Sequence, residues 1–172
     1  MTDQLDGRIG EAWGGEGANG VHLNVVLARR GSAAAAAVAG VLASPRPGHT
    51  PFLVCFGPGT VVRPHTVFVN RTTIDSDAIA RMTWGAGQLG VGQGVLDAVA
   101  DGFLDAAEAP EIMVLVAVYI DPAADDETAV RLACREAMRA AVDDAVQPAS
   151  ADAVRALAER RDDVANAFYT GD

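Results

Sequence analysis

VHLNVVL, residues Val21 to Leu27, puts Val21, Leu23, Val25 and Leu27 on one side of an extended chain and His22, Asn24 and Val26 on the other. A period of two marks a strand with one buried face, so the segment predicts a sheet with His22 and Asn24 together on its more polar side. Glu111 to Ile120 is almost continuously apolar and predicts a central strand buried on both faces. The Ala-rich stretch after Gly31 and Ser32, up to Ala43, predicts a helix, ended by Ser44, Pro45 and Pro47. Thr50 to Phe56 and Thr66 to Ile74 predict two more strands, parted by Gly57, Pro58 and Gly59. In the second of these, Arg71 and Thr73 are two apart and project to one side.

A helix from about Ser76 to Ala100 follows, with Asp75 as its cap. The clearest helical stripe is Val130, Ala133, Cys134, Ala137, Met138, Ala141, Val142 and Ala145, at spacings of three and four. Pro148 closes that region, and Ser150 caps a last helix with Val154, Leu157 and Ala158 on its apolar side, so that residues 149–168 form an additional C-terminal helix. Strands and helices in this order predict an α+β domain in which one sheet is backed by helices. The 172 residues suit a single domain, because one core commonly serves roughly 100–200 residues.

A formal net charge of −10 repels phosphate backbones and anionic membranes, which argues against nucleic-acid and membrane partners. All the basic residues are Arg and none is Lys. No stretch approaches the roughly 18 apolar residues of a membrane span, and Met1 to Glu11 is too polar for a signal peptide. A cytoplasmic location is the expectation. Cys55 and Cys134 each lie in an apolar segment and read as reduced core thiols.

Two motifs are weaker than they look. Gly85 to Gly90, GAGQLG, has the G-x-G-x-x-G spacing of dinucleotide sites, but no buried strand leads into it, as that fingerprint requires. His22, His49 and His65 lack paired ligand spacings and no Cys cluster accompanies them, so no metal site is expected. No Ser lies in a G-x-S-x-G turn. His22 remains the residue of interest, on the polar face of an apolar strand beside Asn24.

The stretch GHTPFLVCFGPGTVVRPHTVFVNRTTI, Gly48 to Ile74, resembles the formaldehyde-activating enzyme family. The similarity begins at Gly10 and Glu11, keeps register through His22 to Gln88, and returns in GVGQGVLDAVADGFL and MVLVAVYI, covering about residues 8–146. It implies a fold like the second domain of ribosomal protein S5 and a ring-shaped homopentamer with the pterin in a cleft between neighbours. The reaction it implies is condensation of formaldehyde with tetrahydromethanopterin to the methylene adduct and water. By position, the resemblance makes His22 the catalytic residue and Asn24, Leu53, Arg71, Thr73 and Gln88 the pterin-contacting residues. The family carries Asp at the position of Asn24, Lys at that of Arg71, and His-Trp where this chain has Asp121 and Pro122. Arg keeps the charge of Lys, whereas Asn keeps only the hydrogen bonding of Asp.

In the chemistry so implied, a protonated imidazole gives its proton to the hydroxyl of a carbinolamine so that water departs, a task suited to a group that titrates near neutral pH. Asn24, Thr73 and Gln88 would supply hydrogen bonds, Leu53 an apolar wall, and Arg71 would orient the carrier. The alternative is a divergent paralogue that binds formaldehyde or a pterin-like ligand as a sensor or scavenger, without turnover.

Overall fold

The computed structural model describes residues 4–147 and 149–165. Pro148 and the end of the predicted 149–168 helix lie outside the described residues. Among the described residues seven strands occur: β1 Ile9–Gly14, β2 Val21–Arg29, β3 Phe52–Leu53, β4 Cys55–Gly57, β5 Thr60–Val61, β6 His65–Asn70 and β7 Ile112–Ile120. The helices are α1 Ala33–Leu42, α2 Asp77–Arg81, α3 Gln88–Ala100, α4 Glu127–Val146 and α5 Ala151–Glu159, with a π-helical turn over Met82–Gly87. Five strands form one mixed sheet in the order β1-β2-β7-β6-β3, and β4 and β5 form a small hairpin. The β6–β7 pairing is parallel and the others are antiparallel. The architecture is α+β.

Helices α3 and α4 pack on the face that carries Val21, Leu23, Val25 and Leu27, all fully buried. The stripe predicted for α4 is buried at every one of its eight positions. Helix α1 packs on the other face, where Ala35 and Val38 meet Ala28 and Val67. It reaches Met113 and Leu115 but leaves the end of the sheet near His22 uncovered. For this reason β7 is fully buried on one face and only half-buried on the other, a correction to the two-sided burial expected of it.

Small residues set the approach of α4. A Cβ on Gly10 would collide with the Ala141 carbonyl, and one on Gly14 with the Ala133 carbonyl. On the helix's other flank, Gly90 would meet the Arg131 carbonyl and Gly94 would lie 2.6 Å from the Arg135 carbonyl and from Met138 Cβ. Backbone therefore rests almost on backbone, strand β1 on one side of α4 and α3 on the other. Across the α3–α4 seam Arg135 holds Asp97 through two bonds of 2.5 and 2.7 Å, and Arg139 holds Asp101 at 2.6 Å. The Arg135 guanidinium keeps the Asp97 carboxyl below its ordinary range.

Several expected boundaries move. The strand read over Thr50 to Phe56 is two, because the chain changes partner at Val54, whose N–H donates to Thr66 and whose carbonyl accepts from Val62. The strand read over Thr66 to Ile74 ends at Asn70, whose side-chain amide bonds the Gly48 and Thr72 carbonyls and closes a turn. Ser76, not Asp75, caps α2, accepting from Ile79 N–H. The GAGQLG motif lies within the π-turn and the start of α3, with no strand leading in. Helix α5 ends at Glu159 and buries none of its residues. Strand β1 was absent from the sequence reading.

Ala for Gly inside a helix ordinarily stabilises by about 1 kcal/mol. At Gly90 the added methyl has nowhere to go, so Gly90→Ala is expected to lose about 1–3 kcal/mol in urea unfolding, the usual cost of overpacking. Gly85→Ala, where nothing lies within 4 Å of the new Cβ, is expected to be neutral or stabilising.

Candidate active site

The register of the sheet assembles a row of side chains on the uncovered face. Trp13 of β1 is opposite His22 of β2, which is opposite Tyr119 of β7. The next row holds Glu11, Asn24, Ala117 and Val69. Directly opposed residues point to the same face, so all of these share a side with His22. Arg71 follows β6, its N–H donating to Val118. Its side chain reaches back across β7 to β2, about 10 Å or two inter-strand spacings.

His22 is held at both ring nitrogens. Nε2 lies 2.7 Å from Glu11 Oε1, and Nδ1 lies 3.3 Å from Arg71 Nη1, which also donates to Asn24 Oδ1 at 3.1 Å. The indole of Trp13 stacks on the imidazole with 4.2 Å between centroids and 20° between planes. A guanidinium has donors only, so Nδ1 accepts from Arg71 and Nε2 bears the proton that is donated to Glu11. The ring is thereby placed in its Nε2–H tautomer. The His22 side chain is 17% exposed and that of Glu11 48%, so the cluster sits at the surface and is bonded to side chains, not buried in the core. Beside it opens a cavity of about 290 Å³ whose walls include Trp13, Glu16, Tyr119 and Asp121.

The other residues singled out from the sequence are not gathered around His22. Thr73 lies past the end of β6, so the strand alternation that would put it on one side with Arg71 does not extend to it; its hydroxyl is 3.1 Å from His49 Nε2, and His49 Nδ1 lies 2.9 Å from the Asn70 carbonyl. Leu53, on edge strand β3, is paired with Val67 and is 38% exposed. Gln88 stands at the start of α3, across the sheet from His22. Its amide oxygen accepts from Cys55 N–H at 3.1 Å and its amide nitrogen donates to the Trp84 carbonyl at 2.7 Å. One chain thus brings together His22, Asn24 and Arg71, and leaves Leu53, Thr73 and Gln88 elsewhere.

Glu11 and Trp13 are the site residues that sequence reasoning missed. The available signal was the alternation of Glu11 and Trp13 with Gly10, Ala12 and Gly14, hidden because the inward positions carry no large apolar side chain. Among the described residues no group of three or more His, Cys, Asp or Glu is placed to hold a metal ion. Both thiols are free, and burial pushes that of Cys134 up to about 12. Among the described residues, no helix is long and apolar enough to cross a membrane.

The sequence pattern described as "Formaldehyde-activating enzyme (Fae)" matches residues 9–169, reaching past α4 and through α5. A "5,6,7,8-tetrahydromethanopterin hydro-lyase" of Methanosarcina barkeri is 37% identical over 126 residues, covering 73% of this chain and 71% of that protein. A "Bifunctional enzyme Fae/Hps" of Archaeoglobus fulgidus is 32% identical over 143 residues, and a protein of the same description from Methanosphaera stadtmanae 32% over 118. The aligned region takes up 36% and 29% of those longer chains, against 78% and 69% of this one. The chain belongs to the formaldehyde-activating enzyme family.

Proposed function

We propose that this protein is a hydro-lyase that condenses formaldehyde with tetrahydromethanopterin, or a similar reduced pterin with two reactive amines, and releases water, with His22 as general acid. The observation that carries the reading is the setting of His22. It lies on the open face of the sheet, held by side chains and stacked on Trp13, where a ligand can reach it.

The chemistry asks little of the protein. Formaldehyde adds to an amine unaided, and the harder step is loss of hydroxide from the carbinolamine. Protonation of that oxygen lets it leave as water while the amine lone pair forms an iminium ion, which the second amine then attacks to close the ring. Positioning and one proton donor suffice. Arg71 and Asn24 would orient the carrier, with Leu53, Thr73 and Gln88 contributing from a neighbouring subunit. Their distance from the His22 cluster within one chain supports that division. We accordingly propose a homopentamer in the cytoplasm, with a pterin cleft between adjacent subunits, that removes free formaldehyde by loading it onto a one-carbon carrier.

His22→Ala is expected to lower the tetrahydromethanopterin-dependent rate, measured above the spontaneous reaction, by about 10²–10⁴-fold. An undiminished rate overturns the role of His22. Carrier binding by the unmodified protein without turnover would replace the enzyme with a sensor or scavenger, the reading that Asn24 and Asp121 motivate. Native mass spectrometry is expected to find five chains of 17.7 kDa each, and a monomer at micromolar concentration overturns the shared cleft.

A further inference from the structure

Only one nitrogen of His22 can serve as the donor in the reaction proposed above, and its surroundings distinguish the two. The charged groups within reach come from two elements. Glu11 projects from β1 and Arg71 from the segment after β6, while Trp13, Asn24 and Tyr119, the remaining neighbours on β1, β2 and β7, are uncharged at neutral pH. Asp121 lies beyond Tyr119 in the wall of the adjoining cavity.

The Nε2–H···Glu11 contact, at 2.7 Å, joins an N–H to a carboxylate and is of the short, charge-assisted kind. It points along the sheet toward edge strand β1. Nδ1 has only the 3.3 Å contact from Arg71, a long side chain with an exposed end whose same nitrogen is shared with Asn24. A ligand that recruits the guanidinium uncovers Nδ1 and leaves Nε2 where it was.

We propose that Glu11 is the positioning residue of this site: it engages Nε2, so that the proton transferred leaves from Nδ1, the nitrogen that Arg71 covers in the free protein. The inference rests on the reading of His22 as acid and adds which atom acts and what holds it. Once Arg71 has moved to the carrier, Nδ1 takes up a proton and the imidazolium is stabilised by the Glu11 carboxylate. As the carbinolamine C–O bond breaks, its electron pair stays on oxygen, which takes the Nδ1 proton and departs as water. The carrier nitrogen's lone pair forms the iminium bond. The ring returns to its Nε2–H tautomer. When the second amine closes the ring, the proton it sheds goes back to Nδ1. Formaldehyde and two N–H groups thus become one N–CH2–N unit and one water, with His22 unchanged.

The test combines kinetics with NMR of protein carrying ¹⁵N-labelled histidine. Glu11→Gln keeps an acceptor for Nε2–H and removes the charge. It is expected to lower kcat about tenfold to a hundredfold, part of the full value of a general acid, with KM for tetrahydromethanopterin within about twofold, as a residue that acts through His22 rather than on the carrier requires. In the free wild-type protein the His22 signals are expected to show a protonated Nε2 and a bare Nδ1 when the ring is neutral. In Arg71→Met the Nε2–H tautomer is expected to persist, because Glu11 still accepts from it. An Nδ1–H tautomer in the free wild type, or an unchanged kcat in Glu11→Gln, overturns the proposal. Absence of turnover in the wild type overturns the enzymatic reading instead, and the atom assignment then stands or falls by the NMR spectrum alone.

Discussion

The seating of α4 is the constraint on which the rest depends. A 20-residue helix lies against β1 through Gly10 and Gly14 and against α3 through Gly90 and Gly94, and at each contact a Cβ would strike helix backbone or an adjoining side chain. Its Ala133, Ala137, Ala141 and Ala145 recur every four residues on the side turned to β1. Close packing of this kind replaces large apolar side chains by proximity, so that dispersion contacts are made by backbone. It also fixes where β1 can be. With β1 seated on α4 and Glu11 N–H bonded to Asp144, its register against β2 is set. That register is what delivers Glu11 and Trp13 to His22, since a slip of one residue would turn both to the other face.

The same economy explains which parts were legible in the sequence. Strand β2 and helix α4 announce themselves because their inward positions are filled by side chains whose period is plain, and both fall where their patterns place them. Strand β1 does not, because close approach to α4 has stripped its inward positions to Gly10, Ala12 and Gly14. Its outward residues, Glu11 and Trp13, were overlooked with it, which is why the site first appears as a lone imidazole. The break at Val54 was hidden for a different reason. Val54 is as apolar as its neighbours Leu53 and Cys55, and only the change of hydrogen-bonding partner from Thr66 to Val62 divides the strand. Such a change is made in space, not in the local pattern.

His22 and Asn24 were readable as co-facial from their spacing, and the family resemblance added Arg71. What no local rule supplies is the crossing of Arg71 over β7. It depends on pairing that sets β2, β7 and β6 side by side. Gln88 is the converse. Its place in the helix is close to that expected, yet its amide is engaged by Cys55 and Trp84, so in the single chain it clamps the β4 hairpin to α3.

Asn24 gives the cluster its character. A carboxylate at that position would pair with the guanidinium and hold it, because it bears the opposite charge and can accept two guanidinium N–H groups at once. The amide offers Arg71 a neutral acceptor, and the imidazole offers another. Charge in the cluster is thus divided: Glu11 is bonded to the ring nitrogen that carries the proton, while the positive charge of Arg71 rests on two neutral atoms at an exposed edge. A cation held in that way is the one most readily drawn to an incoming acceptor. The substitution of amide for carboxylate therefore favours an Arg71 that can move, and with it an Nδ1 that is covered until a ligand arrives.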